Sequence, residues 1–332
     1  MSPRVLIITH SADLHADLAF PLLNAKGGRP FRLNLDQFPC DYEICQRYGD
    51  GAMHTTIRHT PSGDTVELAR IGAVWNRKPA EFNFGSAELG AQELAFARQE
   101  TEQALFGLLY TLDCYWMSHP VALRGAQWKG EQLQRAARLG FRVPATIVTN
   151  SPEQVRAFRT SLPGRMIFKA MSTPALCADE VAPHERMVHG LPTTVVTDDM
   201  MLELDAVRTV PCHFQQYIEK QYELRVTVIG RRVFAAKIHT QDDARTAIDS
   251  RDMSAPIPYE ATQLPPGIEA RCLALMDSYG LTYSAMDLIV TPEGEYVFLE
   301  NNPAGQFYYV QQLIPQFGLL EAVADTLVEH CQ

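Results

Sequence analysis

No two of the seven cysteines stand in a C-x-x-C pair, and their number is odd: Cys40, Cys45, Cys114, Cys177, Cys212, Cys272 and Cys331. A disulfide framework or a zinc knuckle is disfavoured, and reduced thiols in a cytoplasmic protein are the expectation. No apolar run approaches the roughly 18 residues of a membrane span. Residues 4–9 run straight into a strand-like pattern, without the long apolar stretch and small-residue cleavage site of a signal peptide. Basic residues are outnumbered: 29 Lys and Arg against 39 Asp and Glu leave a net charge of −10. That speaks against a broad nucleic-acid-binding face; a nucleotide pocket needs only a few cations. The P-loop pattern G-x-x-x-x-G-K-[ST], a G-x-G-x-x-G after the first strand and the G-x-S-x-G elbow are all missing. His10/His15, His54/His59 and His184/His189 are each five apart, not the four of helical zinc ligands, and read as structural or surface residues.

The chain has 332 residues, with 46% hydrophobic and 20% charged. This is ordinary globular composition over a length that suggests two or three subdomains. Residues 4–9, a helix over about 13–26 closed by Gly27-Gly28, and a strand over 31–35 give a β-α-β start. A hairpin is predicted around Pro61-Ser62-Gly63-Asp64, a strand over 71–75 and a long helix over 86–112. A second unit begins near Ser118-His119-Pro120, with helices over 129–139 and 152–160 and strands over 143–148 and 166–170. The stretch 171–192 lacks periodicity, holds Pro174, Pro183 and Pro192, and reads as a mobile loop. The last unit carries β patterning over 211–218, 222–229, 232–239, 283–290 and 296–302, with helices over 266–279 and 317–330. The expected division is an α/β unit at 1–118, a central unit at 119–215 and a C-terminal unit at 216–332, an α+β chain with clefts between units.

Chemistry concentrates in Ser284-Ala285-Met286-Asp287 and Leu299-Glu300-Asn301-Asn302, two strands joined by the turn-forming Thr291-Pro292-Glu293-Gly294-Glu295. A hairpin centred between Glu293 and Gly294 sets Asp287 opposite Glu300, with Asn302 on the face of Glu300. Carboxylates opposed across a ladder repel unless a cation sits between them, and hard oxygen ligands suit Mg²⁺. The other reading is a polar sheet face ending in a turn at Asn301-Asn302-Pro303. Lys169 ends a buried strand and Lys129 opens a helix; both would meet an anion such as ATP phosphates. At Phe214–Leu224 a strand stops, a polar connection follows, and a second strand starts. Backbone at such a hinge can read adenine edges, and Glu223 can accept from ribose hydroxyls. Arg225 and Lys237, on adjacent strands joined at Gly230, are expected to face the cleft together and hold phosphate oxygens.

In order, a first lysine, a strand lysine, a hinge, and an Asp followed by Glu-x-Asn make the chain resemble the ATP-grasp superfamily. Over nearly its whole length it is similar to the RimK-like ligases that macrocyclise ribosomal peptides, the microviridin-type or graspetide synthetases. The segments carrying this are Val5–Ser11, Ala73-Val74-Trp75-Asn76-Arg77-Lys78, Glu223-Leu224-Arg225-Val226, Ile238-His239-Thr240-Gln241, Ile248-Asp249-Ser250-Arg251 and Phe298–Gln306. The resemblance implies an ATP-grasp fold with an N-terminal α/β pre-ATP-grasp domain, a central α+β subdomain and a C-terminal antiparallel sheet. It implies Mg²⁺ on Asp287, Glu300 and Asn302, ATP on Lys129 and Lys169, adenine on the Gln216, Tyr217 and Ile218 backbone, and ribose on Glu223. Arg225 and Arg251 would lie near the acyl phosphate. A precursor peptide with a leader segment is the implied substrate, and a homodimer the implied assembly. Two departures stand out. Ser250 replaces the Trp usual between the Asp and Arg, and no glycine-rich phosphate loop follows Lys169. Rival readings are a ligase adding free amino acids, as in glutathione-synthase-like enzymes, and a nucleotide-binding protein without catalysis.

Overall fold

The computed structural model describes residues 3–49, 52–85, 88–172, 191–248 and 255–331. Most of the expected 171–192 loop, and Asp249, Ser250 and Arg251, lie outside the described residues.

Strand β1 (Arg4–Thr9) is followed by helix α1 (Leu14–Ala25) and β2 (Phe31–Asn34). Asp13 caps α1 by accepting from the His15 N–H, and Gly27, at φ +84°, turns the chain out of the helix. β3 (Tyr42–Gly49), β4 (Ala52–His59) and β5 (Thr65–Glu67) form an antiparallel three-stranded sheet. β3 was not anticipated: its inward line runs Tyr42, Ile44, Gln46, so the apolar alternation stops after two residues. β6 (Ile71–Asn76), α2 (Ala91–Leu109) and β7 (Tyr115–Met117) complete the first unit, in which β2-β1-β6-β7 make a parallel sheet. Alternation splits its faces. Leu6, Ile8 and Val74 pack with Ile57 of the small sheet and Leu105 and Leu108 of α2, while Val5, Ile7 and Trp75 pack toward α1.

Next come α3 (Pro120–Gly125), α4 (Lys129–Arg138), β8 (Thr146–Thr149), α5 (Pro152–Ser161), β9 (Met166–Lys169), β10 (Thr194–Val195), α6 (Asp198–Leu202) and β11 (Cys212–Gln216). β10-β9-β11-β8 form an antiparallel sheet. Met166 and Phe214 on one face share a core with Val155 of α5; Ile167, Lys169, His213 and Gln215 take the other face.

The last unit holds β12 (Tyr222–Ile229), β13 (Arg232–Ile238), β14 (Tyr259–Thr262), α7 (Pro266–Tyr279), β15 (Tyr283–Val290), β16 (Tyr296–Asn302), α8 (Tyr308–Leu313) and α9 (Leu319–Glu329). Strands β14-β13-β12-β15-β16 form one antiparallel sheet. One of its faces, with Leu224, Val226, Met286 and Leu288, is covered by Cys272 and Leu275 of α7 and by Leu133 and Ala136 of α4. The segment carrying α3 and α4, grouped by sequence with the central unit, therefore buries its apolar side against the C-terminal sheet. In the same way α9 returns to α1 and the parallel sheet, where Leu319, Val323 and Leu327 are fully buried. No helix of the described residues is long and apolar enough to cross a membrane.

Candidate active site

The other face of the C-terminal sheet, packed at one end against α8 and α9, and the Ile167–Gln215 face of the central sheet enclose a cavity of about 140 Å³. Eight of the residues singled out from sequence line it: Lys129, Lys169, Gln216, Tyr217, Ile218, Glu223, Asp287 and Glu300.

The β15–β16 hairpin sets the carboxylates. Near the turn, Leu288 pairs with Phe298 and Val290 with Tyr296, which centres the turn on Glu293. Continued regularly, that register would set Asp287 against Leu299. A bulge between Asp287 and Leu288 inserts Leu299 as an extra residue, and Asp287 pairs with Glu300. The expected pairing holds, although the turn centre is half a residue from its expected place. Both carboxylates keep access to the cavity, with side chains 27% and 31% exposed.

Asn302 extends its amide to Glu300 Oε1 (3.0 Å) and Asp287 Oδ2 (3.4 Å). Arg225 donates through Nη1 to both Asp287 oxygens at 2.8 and 3.1 Å. Lys129 lies 3.2 Å from Glu300 and donates to Ala170 O. Burial pushes Asp287 up; Arg225 opposes this, the facing Glu300 adds to it, and the net is upward. Glu300, though its burial works the other way, is held below the usual range by Lys129 and Asn302. Among the described residues no three His, Cys, Asp or Glu side chains converge. The cluster is two carboxylates bridged by the Asn302 amide nitrogen; a turn of that amide would add its oxygen to theirs, and one carboxylate is strained by burial. That fits a hard cation such as Mg²⁺.

On the facing wall, desolvation pulls the Lys169 ammonium down; Glu300 counteracts, and Lys129 adds repulsion. A polyanion between the two lysines relieves both effects. His213, paired with Lys169 across β11 and β9, is buried with no partner on either ring nitrogen among the described residues. Burial, then Lys169 and Lys129, push it down to about 4, so it is neutral.

At the hinge, Gln216 N–H donates to Ala145 O and Tyr217 N–H to Arg165 O, fixing the backbone where the chain leaves the sheet. Arg165 stacks on the Tyr217 ring at 4.0 Å. Glu223, beside the hinge, is ion-paired with the buried Lys220. Gln132, one turn into α4, donates to Asn301 O (2.8 Å) and accepts from Asn301 N–H (2.9 Å), pinning the helix that carries Lys129 to the strand that carries Glu300.

One expected member does not join. The Gly230-Arg231 turn pairs Ile229 with Arg232, so Lys237 falls opposite Leu224 and Arg225 opposite Ala236. Residues directly opposed share a face, so Lys237 lies on the helix-covered face, away from Arg225. Its ammonium sits 4.4 Å over the Tyr222 ring. Arg251 lies outside the described residues. His213, Lys220, Gln132, His15 and Arg77 were not assigned site roles from sequence. Arg77 and Lys220 had a signal, their places in the Ala73–Lys78 and Phe214–Leu224 segments.

The family described as the MvdD pre-ATP grasp domain matches residues 4–124. No curated protein matches the chain significantly. Among solved structures, a RiPP-associated ATP-grasp ligase of Chryseobacterium gregarium, in complex with ADP and a leader and core peptide, is 34% identical, with 98% of this chain and 97% of that one covered and a TM-score of 0.87. The macrocyclase MdnC of Microcystis aeruginosa, bound with precursor peptide MdnA, is 28% identical over 98% of this chain and 99% of its own, with a TM-score of 0.84. The macrocyclase MdnB of the same organism is 27% identical over 98% and 99%, with a TM-score of 0.79. Fold and cleft are those of an ATP-grasp ligase. More narrowly, the chain belongs to the RiPP-associated, graspetide-type ATP-grasp ligases.

Proposed function

We propose that this ligase uses Mg-ATP to activate a side-chain carboxylate of a ribosomal precursor peptide and joins it to a hydroxyl or amine of the same peptide. The observation that carries this is the Asp287–Glu300 pair, bridged by Asn302, lining one cavity with Lys129 and Lys169. Asp287, Glu300 and Asn302 would hold Mg²⁺, which neutralises phosphate charge during transfer. Lys129 and Lys169 take the phosphates. The Gln216–Ile218 backbone takes adenine, and Glu223 takes the ribose. Arg225, with Arg251, stabilises charge on the carboxylate being phosphorylated. The γ-phosphoryl group moves to an Asp or Glu carboxylate oxygen and ADP leaves. A Thr or Ser hydroxyl or a Lys amine then attacks the acyl carbon, phosphate leaves, and an ester or amide forms. Positioning and electrostatics suffice, and no protein nucleophile takes part. A leader segment docked apart from the chemistry raises the local concentration of the core peptide. The homodimer is part of the same reading, carried by resemblance alone.

The test is ADP release with Mg-ATP against candidate precursor peptides carrying leader and core segments and against free amino acids, with mass spectrometry of each acceptor. The expected result is one ADP and the loss of one water mass from the peptide per bond. ADP release only with free amino acids, with a gain of acceptor mass, would place the enzyme with the glutathione-synthase-like ligases. Nucleotide binding without ADP release from any acceptor would make it a non-catalytic binder.

A further inference from the structure

Directly after Asn302, the backbone of residues 304–308 is held at five successive positions by side chains. Arg77 Nη1 donates to Ala304 O (2.8 Å), Tyr283 Oη to Gly305 O (2.7 Å), and Arg225 Nη2 to Gln306 O (3.1 Å). The N–H groups of Phe307 and Tyr308 both donate to His15 Nε2, at 3.3 and 3.1 Å. Two of the four side chains, His15 and Arg77, come from the N-terminal unit, 292 and 227 residues away in sequence.

The chemistry of the clamp is specific. An imidazole nitrogen facing two N–H donors must be the unprotonated one, so the ring proton sits on Nδ1, toward Asp13 Oδ1 at 3.5 Å. Asp13 is fixed by Thr9, whose hydroxyl donates to Oδ2 at 2.6 Å. The charged groups facing His15 are Asp13 on its own segment and Arg77 and Lys78 at the end of β6. The Phe307 ring meets it edge-on at 4.6 Å. Arg77 is 3% exposed and leaves Nε and Nη2 without a partner among the described residues. A buried guanidinium satisfied at one nitrogen is costly, so its one bond to Ala304 sits where the fold tolerates a penalty. There is no slack at the centre of the loop. A Cβ on Gly305 would stand 2.9 Å from Arg225 Nη2 and 2.9 Å from Ala285 Cβ.

We propose that His15 and Arg77 are positioning residues of the ligase reaction: by fixing the 304–308 backbone they hold Arg225 against Asp287 and Asn302 against Glu300. The N-terminal unit thus completes the site as well as capping the fold. This rests on the reading of Asp287, Glu300 and Asn302 as the Mg²⁺ site.

The test is ADP affinity by calorimetry, with and without Mg²⁺, for the wild type and for His15→Phe, His15→Gln, Arg77→Gln and Gly305→Ala in the full chain. The Mg²⁺-dependent gain in affinity is expected to fall about tenfold in His15→Phe and Arg77→Gln, with metal-free ADP binding unchanged. His15→Gln, whose side-chain oxygen can accept both N–H groups, should restore the gain. Gly305→Ala should reproduce the loss even if His15→Phe does not fold. A full Mg²⁺-dependent gain in folded His15→Phe or in Gly305→Ala overturns the inference. A wild type whose ADP affinity ignores Mg²⁺ strikes down the metal reading itself, and the inference with it.

Discussion

Leu299 and Glu300 are neighbours in sequence, yet both line the same cavity. Strict alternation would send one of them to the opposite face of the sheet. The bulge against Asp287 gives both to the cleft: Leu299 beside Ile289 and Ile218 as an apolar wall, and Glu300 beside Asp287 as an acidic one. One inserted residue thus brings an apolar surface and an acidic surface side by side in the cleft.

The carboxylate pair should be indispensable to turnover and dispensable to folding. Asp287→Asn and Glu300→Gln are each expected to lower ADP release about 100-fold or more, with an unchanged circular dichroism spectrum. Activity near the wild-type level in either variant would remove the pair from the reaction.

Lys237 and Lys169 should separate cleanly. Lys169→Met is expected to weaken ADP binding about tenfold, through loss of one charge-assisted contact. Lys237→Ala, altering the helix-covered face, should stay within about twofold of wild type by the same arithmetic. Equal losses in an ADP titration would contradict the strand register seen here.

His15 makes part of the stability depend on pH. Desolvation, with Arg77 and Lys78, pushes it below its ordinary value against the pull of Asp13. A histidine held neutral in the fold contributes fully above the ordinary value of ~6.5, and that contribution is lost as pH falls below it toward the depressed value. Thermal melts of wild type and His15→Gln are therefore expected to lie closest at pH 7.5, with the wild type losing stability relative to the variant toward pH 5. A constant difference would show that the ring is not held neutral.

Gln132 is 2% exposed and makes three hydrogen bonds, two to the Asn301 backbone and one to Ala126 O. Gln132→Ala should cost roughly 2–4 kcal/mol in urea denaturation, from a cavity and unpaired backbone groups together. A loss under about 0.5 kcal/mol, the range of an ordinary surface change, would mean that α4 is held to β16 by other contacts.

The hairpin, the hinge and the two lysines were legible in sequence because each is local: a strand pattern, a turn composition, a cation at a strand or helix end. Lys237 misled because facing depends on one residue of register at the Gly230-Arg231 turn, which alternation within either strand cannot supply. β14, Tyr259-Glu260-Ala261-Thr262, has no apolar β-branched residue to announce it. His15 and Arg77 were beyond reach for a different reason. Their partners lie more than two hundred residues away, and no periodicity spans that distance. The grouping of α3 and α4 with the C-terminal sheet likewise becomes visible only when Leu133 and Ala136 are seen beside Leu288.

The most direct measurement follows oxygen. A precursor peptide carrying ¹⁸O in its Asp and Glu side-chain carboxylates is incubated with the enzyme and Mg-ATP, and the inorganic phosphate released is weighed by mass spectrometry. Activation as an acyl phosphate leaves a carboxylate oxygen bridged to phosphorus, so each bond formed should deliver one ¹⁸O into phosphate as the peptide loses one water mass. Crosslinked peptide with unlabelled phosphate would contradict carboxylate phosphorylation as the activating step.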